Sequence, residues 1–84
     1  MILLQIVDIA ENGVDGILSK EERQTLIRSI KTMDTTKSIG LLKKAEGIAS
    51  ERGEEERIGQ IQEAARRIKD LVREDARKTQ GGNE

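Results

Sequence analysis

Charged side chains recur three or four residues apart along a chain without proline, and this spacing limits the possible folds more than any other feature. Charged residues make up 37% of the 84 residues, and no proline interrupts the helical hydrogen-bond ladder. A β-sheet would require alternating segments separated by turn-rich punctuation. We therefore predict an all-α fold, a small bundle of three to four helices with a C-terminal antiparallel helical hairpin, completed by dimerisation.

Turn and capping signals divide the chain into four predicted helices. Their ranges are 2–11, 19–33, 35–52 and 54–78, within a single helical domain spanning residues 1–78. Ser19 with Glu22 forms a capping-box pattern, and Asp34 is a candidate N-cap. Gly53 stands where a helix C-terminus favours glycine. Residues 79–84 offer nothing to bury and are predicted to form a disordered tail.

The first segment, residues 2–11, is apolar on nearly all sides, so as a helix it requires burial almost all round. Its β-branched residues leave a short strand as the alternative, although we predict a helix.

Two glycines, Gly40 and Gly47, fall inside the third predicted helix. Because each costs about 1 kcal/mol relative to alanine, we predict that their small size permits close approach of a neighbouring helix.

The fourth predicted helix carries an apolar stripe with the spacing of a coiled-coil seam over about two heptads. Together with the first segment, this stripe exceeds the apolar surface that so short a chain is expected to hide alone. We therefore predict a homodimer rather than a higher oligomer. Its predicted interface residues are Ile2, Leu3, Ile6, Val7, Ile58, Ile61, Ala65, Ile68 and Val72.

The sequence contains no cysteine, no histidine and no aromatic residue. Zinc fingers, haem ligation and catalysis by a Cys or His nucleophile system are therefore excluded. The absence of aromatic residues also argues against single-strand nucleic-acid binders that stack bases on aromatic rings. The conspicuous carboxylates, such as Glu54, Glu55 and Glu56, have charged neighbours and suit exposed helix starts better than a catalytic pocket. We predict no enzymatic activity and no cofactor.

The stretch Glu11-Asn12-Gly13-Val14-Asp15-Gly16-Ile17-Leu18-Ser19-Lys20-Glu21-Glu22 resembles an EF-hand calcium loop. In the frame of that family, Asp15 occupies the fifth position and Glu22 the last, where the bidentate ligand belongs. The resemblance implies Glu11, Asp15, Ile17 and Glu22 as calcium ligands, although Glu11 and Gly13 depart from the family pattern. Turns and a capping box explain the same residues without metal, so calcium is not expected.

The last predicted helix also carries a basic stretch, whose cations are Arg66, Arg67, Lys69, Arg73, Arg77 and Lys78. A nucleic-acid-binding interpretation would lay this face along phosphates. Interleaved carboxylates, Asp70 among them, repel phosphate and can pair with the cations within the helix. The net charge of −1 adds no overall attraction to nucleic acid, so this partner is not expected.

These patterns together favour a non-enzymatic helical protein–protein interaction or regulatory module, of the adaptor or inhibitor type, that presents a helix face to a protein partner. The alternatives are a nucleic-acid-binding regulator and a degenerate EF-hand-like helix–loop–helix. The apolar run from Ile2 to Val7 is too short for a membrane span and is wrongly flanked for a signal peptide. We expect a cytoplasmic protein without a membrane partner.

Overall fold

A computed structural model of the chain describes the backbone of residues 2–82 and the side chains of residues 3–73. Its four helices are α1 (Ile2–Val14), α2 (Lys20–Lys31), α3 (Thr35–Arg52) and α4 (Glu55–Gly82), and the described backbone contains no strand. The all-α prediction is confirmed, and the strand alternative for the first segment is wrong. Every helix in the described residues is too short or too polar to span a membrane.

Local capping chemistry sets three of the helix ends, as predicted. The Glu22 N–H donates to Ser19 Oγ at 3.2 Å, and the Ser19 N–H donates back to the Glu22 carboxylate, which completes a capping box at the start of α2. Asp34 accepts a hydrogen bond from the Lys37 N–H at 3.3 Å and caps α3. At the other end of α3, Gly53 adopts a left-handed φ of 71°.

The end of α1 differs from its predicted position, because the helix continues through Asn12 and Gly13 to Val14 instead of stopping at residue 11. Val14 is fully buried, so the additional turn gains apolar contacts. Arginines from the other half of the chain satisfy exposed carbonyls at this end: Arg57 donates to the Asn12 carbonyl, and Arg52 donates to the Gly16 carbonyl at 2.8 Å. Tertiary contacts therefore override the local turn signal.

The end of α4 also lies beyond its prediction, since the helix continues past residue 78 to Gly82. Each added residue of a helix gains one backbone hydrogen bond, and no proline interrupts the ladder here. Residues 83 and 84 of the predicted tail lie outside the described range.

The core is aliphatic and receives side chains from all four helices. The main helix contacts are those of α4 with α1 and α3, and those of α2 with the same two helices. The buried aliphatic residues are Ile6, Val7, Ala10, Val14, Ile17, Leu18, Leu26, Ile30, Leu42, Ala45, Ala49, Ile61, Ala64 and Ile68. α4 therefore shares most of its apolar stripe with α1 and α3 of the same chain.

A buried pair of serines joins the end of α2 to the start of α3. The Oγ atoms of Ser29 and Ser38 are 2.8 Å apart. Each hydroxyl also lies within hydrogen-bond distance of a backbone carbonyl of its own segment, at 2.7 Å for Ser29 and 2.9 Å for Ser38. Both hydroxyls are thus satisfied, as buried polar groups must be, and they hold α2 and α3 in one register.

The close helix approach occurs at Gly13 and not at the predicted glycines. A Cβ atom placed on Gly13 would lie 3.1 Å from Ile61 Cγ1 and 3.2 Å from the Ile61 backbone nitrogen. A Cβ on Gly40 or Gly47 would have no heavy atom within 4 Å. The prediction for Gly40 and Gly47 is wrong, because their positions on α3 face open space.

The end of α2 contains the only non-glycine residue with a positive φ in the described backbone, Met33, at 61°. The Met33 N–H donates to the Ile30 carbonyl at 3.1 Å, and the Asp34 N–H donates to the Ser29 carbonyl at 2.8 Å. This is the Schellman pattern of a helix C-terminus, in which the left-handed residue is usually glycine. Met33 is 44% exposed, so packing contributes little to its conformation.

Met33→Gly is expected to raise the free energy of unfolding by about 0.5–1 kcal/mol, because glycine removes a left-handed penalty of about 1–2 kcal/mol and loses part of that gain to unfolded-state entropy. Urea denaturation followed by circular dichroism at the helix band measures the change. Gly53→Ala is the matched control: it places a side chain at the same kind of helix end and should lower stability by a similar amount. A loss of stability in Met33→Gly would contradict the prediction.

Candidate functional site

The predicted dimer interface lies mostly inside the chain's own core. Four of its residues are buried there, namely Ile6, Val7, Ile61 and Ile68. Three more, Leu3, Ile58 and Ala65, are half-buried and pack against that core. In the single chain, a partner could contact the buried side chains of these four residues only if the bundle opened, and the dimer interface stays a prediction. Val72 is 41% exposed, and the side chain of Ile2 lies outside the described residues.

The residues that resemble a calcium loop have structural contacts instead. Glu11 belongs to α1 and not to a loop, and the side chain of Ile17 packs into the core. Asp15 accepts a hydrogen bond from the Arg23 guanidinium at 3.1 Å. Glu22 completes the capping box and pairs with Lys44. Among the described side chains, no group of three or more acidic residues is arranged to hold a metal ion.

Two carboxylates have lowered pKa values because of cationic partners. The hydrogen bond from the Lys44 ammonium, followed by that from the Ser19 backbone, lowers the pKa of Glu22 below its ordinary value. The hydrogen bond from Arg67, with the nearby charge of Arg66, lowers the pKa of Glu63. Both carboxylates are therefore ionised structural partners and not proton donors near neutral pH.

The basic stretch of α4 is partly neutralised by this helix itself. Arg67 Nε donates to Glu63 at 2.7 Å, and Arg66 donates to the other oxygen of the same carboxylate. Lys69 and Arg73 are exposed. The side chains of Arg77 and Lys78 lie outside the described residues. A continuous phosphate-binding face is therefore interrupted at its start, and nucleic-acid binding stays an alternative hypothesis.

The strongest candidate site is a surface groove between α3 and α4. Its larger part has a volume of about 480 Å³ and is lined by Thr35, Thr36, Ile39, Gly40, Lys43, Ile68, Lys69 and Val72. A smaller part of about 260 Å³ adjoins it and shares Ile39, Lys43 and Lys69. The smaller part is completed by Leu42, Glu46, Gln62, Ala65 and Arg66. We refer to the two parts together as the α3/α4 groove.

The groove lies along the part of α4 that runs beside α3. Val72 lies opposite Thr35 and Thr36, at the first turn of α3, where the apolar stripe of α4 passes the start of its neighbour. Gly40 contributes no side chain to close the space. At Val72, the apolar stripe of α4 is therefore only partly covered by the rest of the chain.

The charged residues that line the larger part of the groove are both cationic, whereas the smaller part also contains Glu46. Lys43 on α3 and Lys69 on α4 line both parts, and neither has a carboxylate within salt-bridge distance among the described side chains. Glu46, at the smaller part, accepts a hydrogen bond from Gln62 at 2.8 Å. Its larger part thus combines apolar walls with two lysines that form no ion pair within residues 3–73.

Sequence reasoning identified only part of this groove. Ile68, Lys69 and Val72 were predicted site residues, although under different hypotheses, whereas Ile39 and Lys43 were not singled out. Ile39 lies at the edge of the buried stripe of α3, a position from which a side chain borders both the core and the surface. Lys43 and Lys69 lie on different helices, and only the packing of α3 on α4 brings them together. No pattern of residue spacing within one helix could therefore link them.

No protein-family model matches the chain, and neither a curated protein nor a solved structure matches it. The α3/α4 groove, with its exposed Val72, is therefore the feature from which a function is argued.

Proposed function

We propose that this protein is a non-enzymatic helical protein–protein interaction module that binds a partner helix in the α3/α4 groove. The supporting observation is Val72, a large aliphatic residue that remains 41% exposed on the wall of an open groove next to Ile39 and Ile68. Docking of an amphipathic helix into an apolar groove is a recurring mode of recognition, and burial of such side chains stabilises the complex.

The dimensions of the groove suit a short helix. Along α3 its lining extends from Thr35 to Glu46, which corresponds to about 17 Å at 1.5 Å per residue, or about three helical turns. Three turns present apolar anchors at positions i, i+3 or i+4, and i+7 of a partner helix. The groove can therefore hold the anchor set of one amphipathic segment.

In this proposal, a dimer would form through exposed aliphatic residues instead of the residues of the core. Since Ile6 and Ile61 belong to the core, a second copy would have to use exposed aliphatic residues such as Val72 or Leu4, which is 60% exposed. A second copy is then a competing occupant of the α3/α4 groove. Native mass spectrometry over a dilution series measures that competition directly.

The proposal is tested by selecting binders from a displayed library of helical peptides of about 16 residues, a length at which isolated helices begin to form. The binding site of each enriched peptide is then mapped by amide chemical shifts of the ¹⁵N-labelled protein. Shift changes are expected along the groove residues. Val72→Glu is expected to weaken binding by about tenfold or more, since it places a charge in an apolar contact.

Leu4→Glu is the matched control, because it makes the same kind of substitution at another exposed aliphatic residue that does not line the groove. It should leave peptide binding unchanged. The proposed groove would be contradicted if the enriched peptides changed the amide shifts of other surfaces. It would also be contradicted if Val72→Glu and Leu4→Glu lost equal binding affinity. Circular dichroism of each variant verifies that the helical fold is retained.

A further inference from the structure

We infer that the segment bound by the α3/α4 groove is an acidic amphipathic helix from another protein, whose apolar face packs on Ile39 and Val72 and whose carboxylates pair with Lys43 and Lys69. This inference rests on the proposed function and adds the charge of the partner. The arrangement of the two lysines supports it.

The two lysines stand on opposite walls of the groove. Lys43 lies one helical turn after Ile39 on α3, and Lys69 lies three residues before Val72 on α4. Both lysines line both parts of the groove, so they lie near its middle, where the two parts meet. Apolar residues line the groove on either side of them. A helix seated on the apolar floor would thus have an ammonium group on each side, within reach of acidic residues that border its apolar face.

The positive charge is local to the groove and does not reflect the charge of the whole chain. The complete sequence has a net charge of −1. The larger part of the groove is lined by two lysines and no carboxylate. Two ammonium groups that share one groove repel each other, and carboxylates from a partner remove this repulsion on binding. A basic helix would increase it, so the groove discriminates by charge.

The lining also argues against phosphate as the preferred ligand. Half-buried Ile39 and exposed Val72 offer apolar contact area that a phosphate backbone cannot use, whereas an amphipathic helix can. A second copy is the other competitor, because α1 contains Asp8 and Glu11, no basic residue and the exposed Leu4. The test therefore includes a measurement for each competitor.

The probes are two synthetic helical peptides that share one leucine face and differ only in the flanking residues, which are all Glu in the first and all Lys in the second. Calorimetric titration of the full chain should show the Glu peptide binding about tenfold or more tightly at about 20 mM salt, with a smaller difference at about 200 mM salt. Amide shifts locate each peptide. The double variant Lys43→Glu/Lys69→Glu should reverse the preference.

The matched control is Lys20→Glu/Lys31→Glu, which changes the net charge equally at two exposed lysines of α2 outside the groove. It should preserve the preference for the Glu peptide. Equal affinity of both peptides for the groove would overturn the inference and leave the proposed function standing. If neither peptide changed the amide shifts of the groove residues, the proposed function would be overturned as well.

Two further outcomes would assign the groove to another occupant and overturn the inference. The first is duplex DNA binding that disappears in Lys43→Glu/Lys69→Glu while neither peptide competes with the DNA. The second is a dimer in native mass spectra that is lost in Asp8→Lys, since that result would place α1 of a second copy in the groove. A monomer that binds the Glu peptide supports the inference.

Discussion

Ile61→Ala is expected to lower the free energy of unfolding by about 2–5 kcal/mol, the range for removal of several buried carbon atoms from a packed core. Ile61 is fully buried and lies against Gly13 in a close contact of α1 with α4. A domain of this size has a total stability at the low end of about 5–15 kcal/mol, so the loss would be a large fraction of it. Urea denaturation followed by circular dichroism measures the change.

The dependence of this result on protein concentration separates a core role from an interface role. If Ile61 stabilises one chain, the urea midpoint of the wild type and of Ile61→Ala stays the same across a wide range of concentrations. Val72→Ala is the matched control on the same stripe, and its exposed side chain should cost less than about 1 kcal/mol. The opposite result would be a wild-type urea midpoint that rises with protein concentration, together with a midpoint of Ile61→Ala that does not. That result would show that the apolar stripe of α4 is a dimer interface.

Gly13→Leu is expected to lower the free energy of unfolding by about 1–3 kcal/mol or more, because new atoms are forced into a filled contact. A Cβ at this position would already lie 3.2 Å from the Ile61 backbone nitrogen and 3.3 Å from Gln60 Cβ. α1 and α4 would have to separate to admit the rest of the side chain. The better helix propensity of leucine cannot offset that separation.

Gly47→Leu makes the same substitution in a helix where a Cβ would have no heavy atom within 4 Å. It is expected to raise the free energy of unfolding by about 0.5–1 kcal/mol, since leucine is the stronger helix former. The two variants should therefore change stability in opposite directions in the same urea experiment. A stabilising effect of Gly13→Leu would show that α1 and α4 are not in close contact at Gly13.

The helix starts and stops that depend on neighbouring residues could be predicted well. The capping box of Ser19 with Glu22, the Asp34 cap and the left-handed Gly53 each arise from hydrogen bonds or backbone preferences within a few residues. The end of α1 could not be predicted in this way. Asn12-Gly13 is a turn signal in isolation, but the packing of Gly13 against Ile61 keeps it helical.

The candidate site could be predicted only in fragments. Val72 was identified from the apolar spacing of α4, and Lys69 from its basic residues, but each belonged to a separate hypothesis. Lys43 and Lys69 are far apart in the sequence, and no periodic pattern connects them. Their common position in the α3/α4 groove follows from the packing of α3 on α4.

The sequence by itself determined that the chain is helical, where most helices begin, and which stripe of each helix avoids water, because these properties follow from local hydrogen bonds and the helical repeat. Only the tertiary structure decided what covers each stripe. The spacing of apolar residues predicts that Ile61 is buried, but it does not predict which helix covers it. In the folded chain, α1 packs against Ile61, whereas Val72 stays exposed beside the first turn of α3.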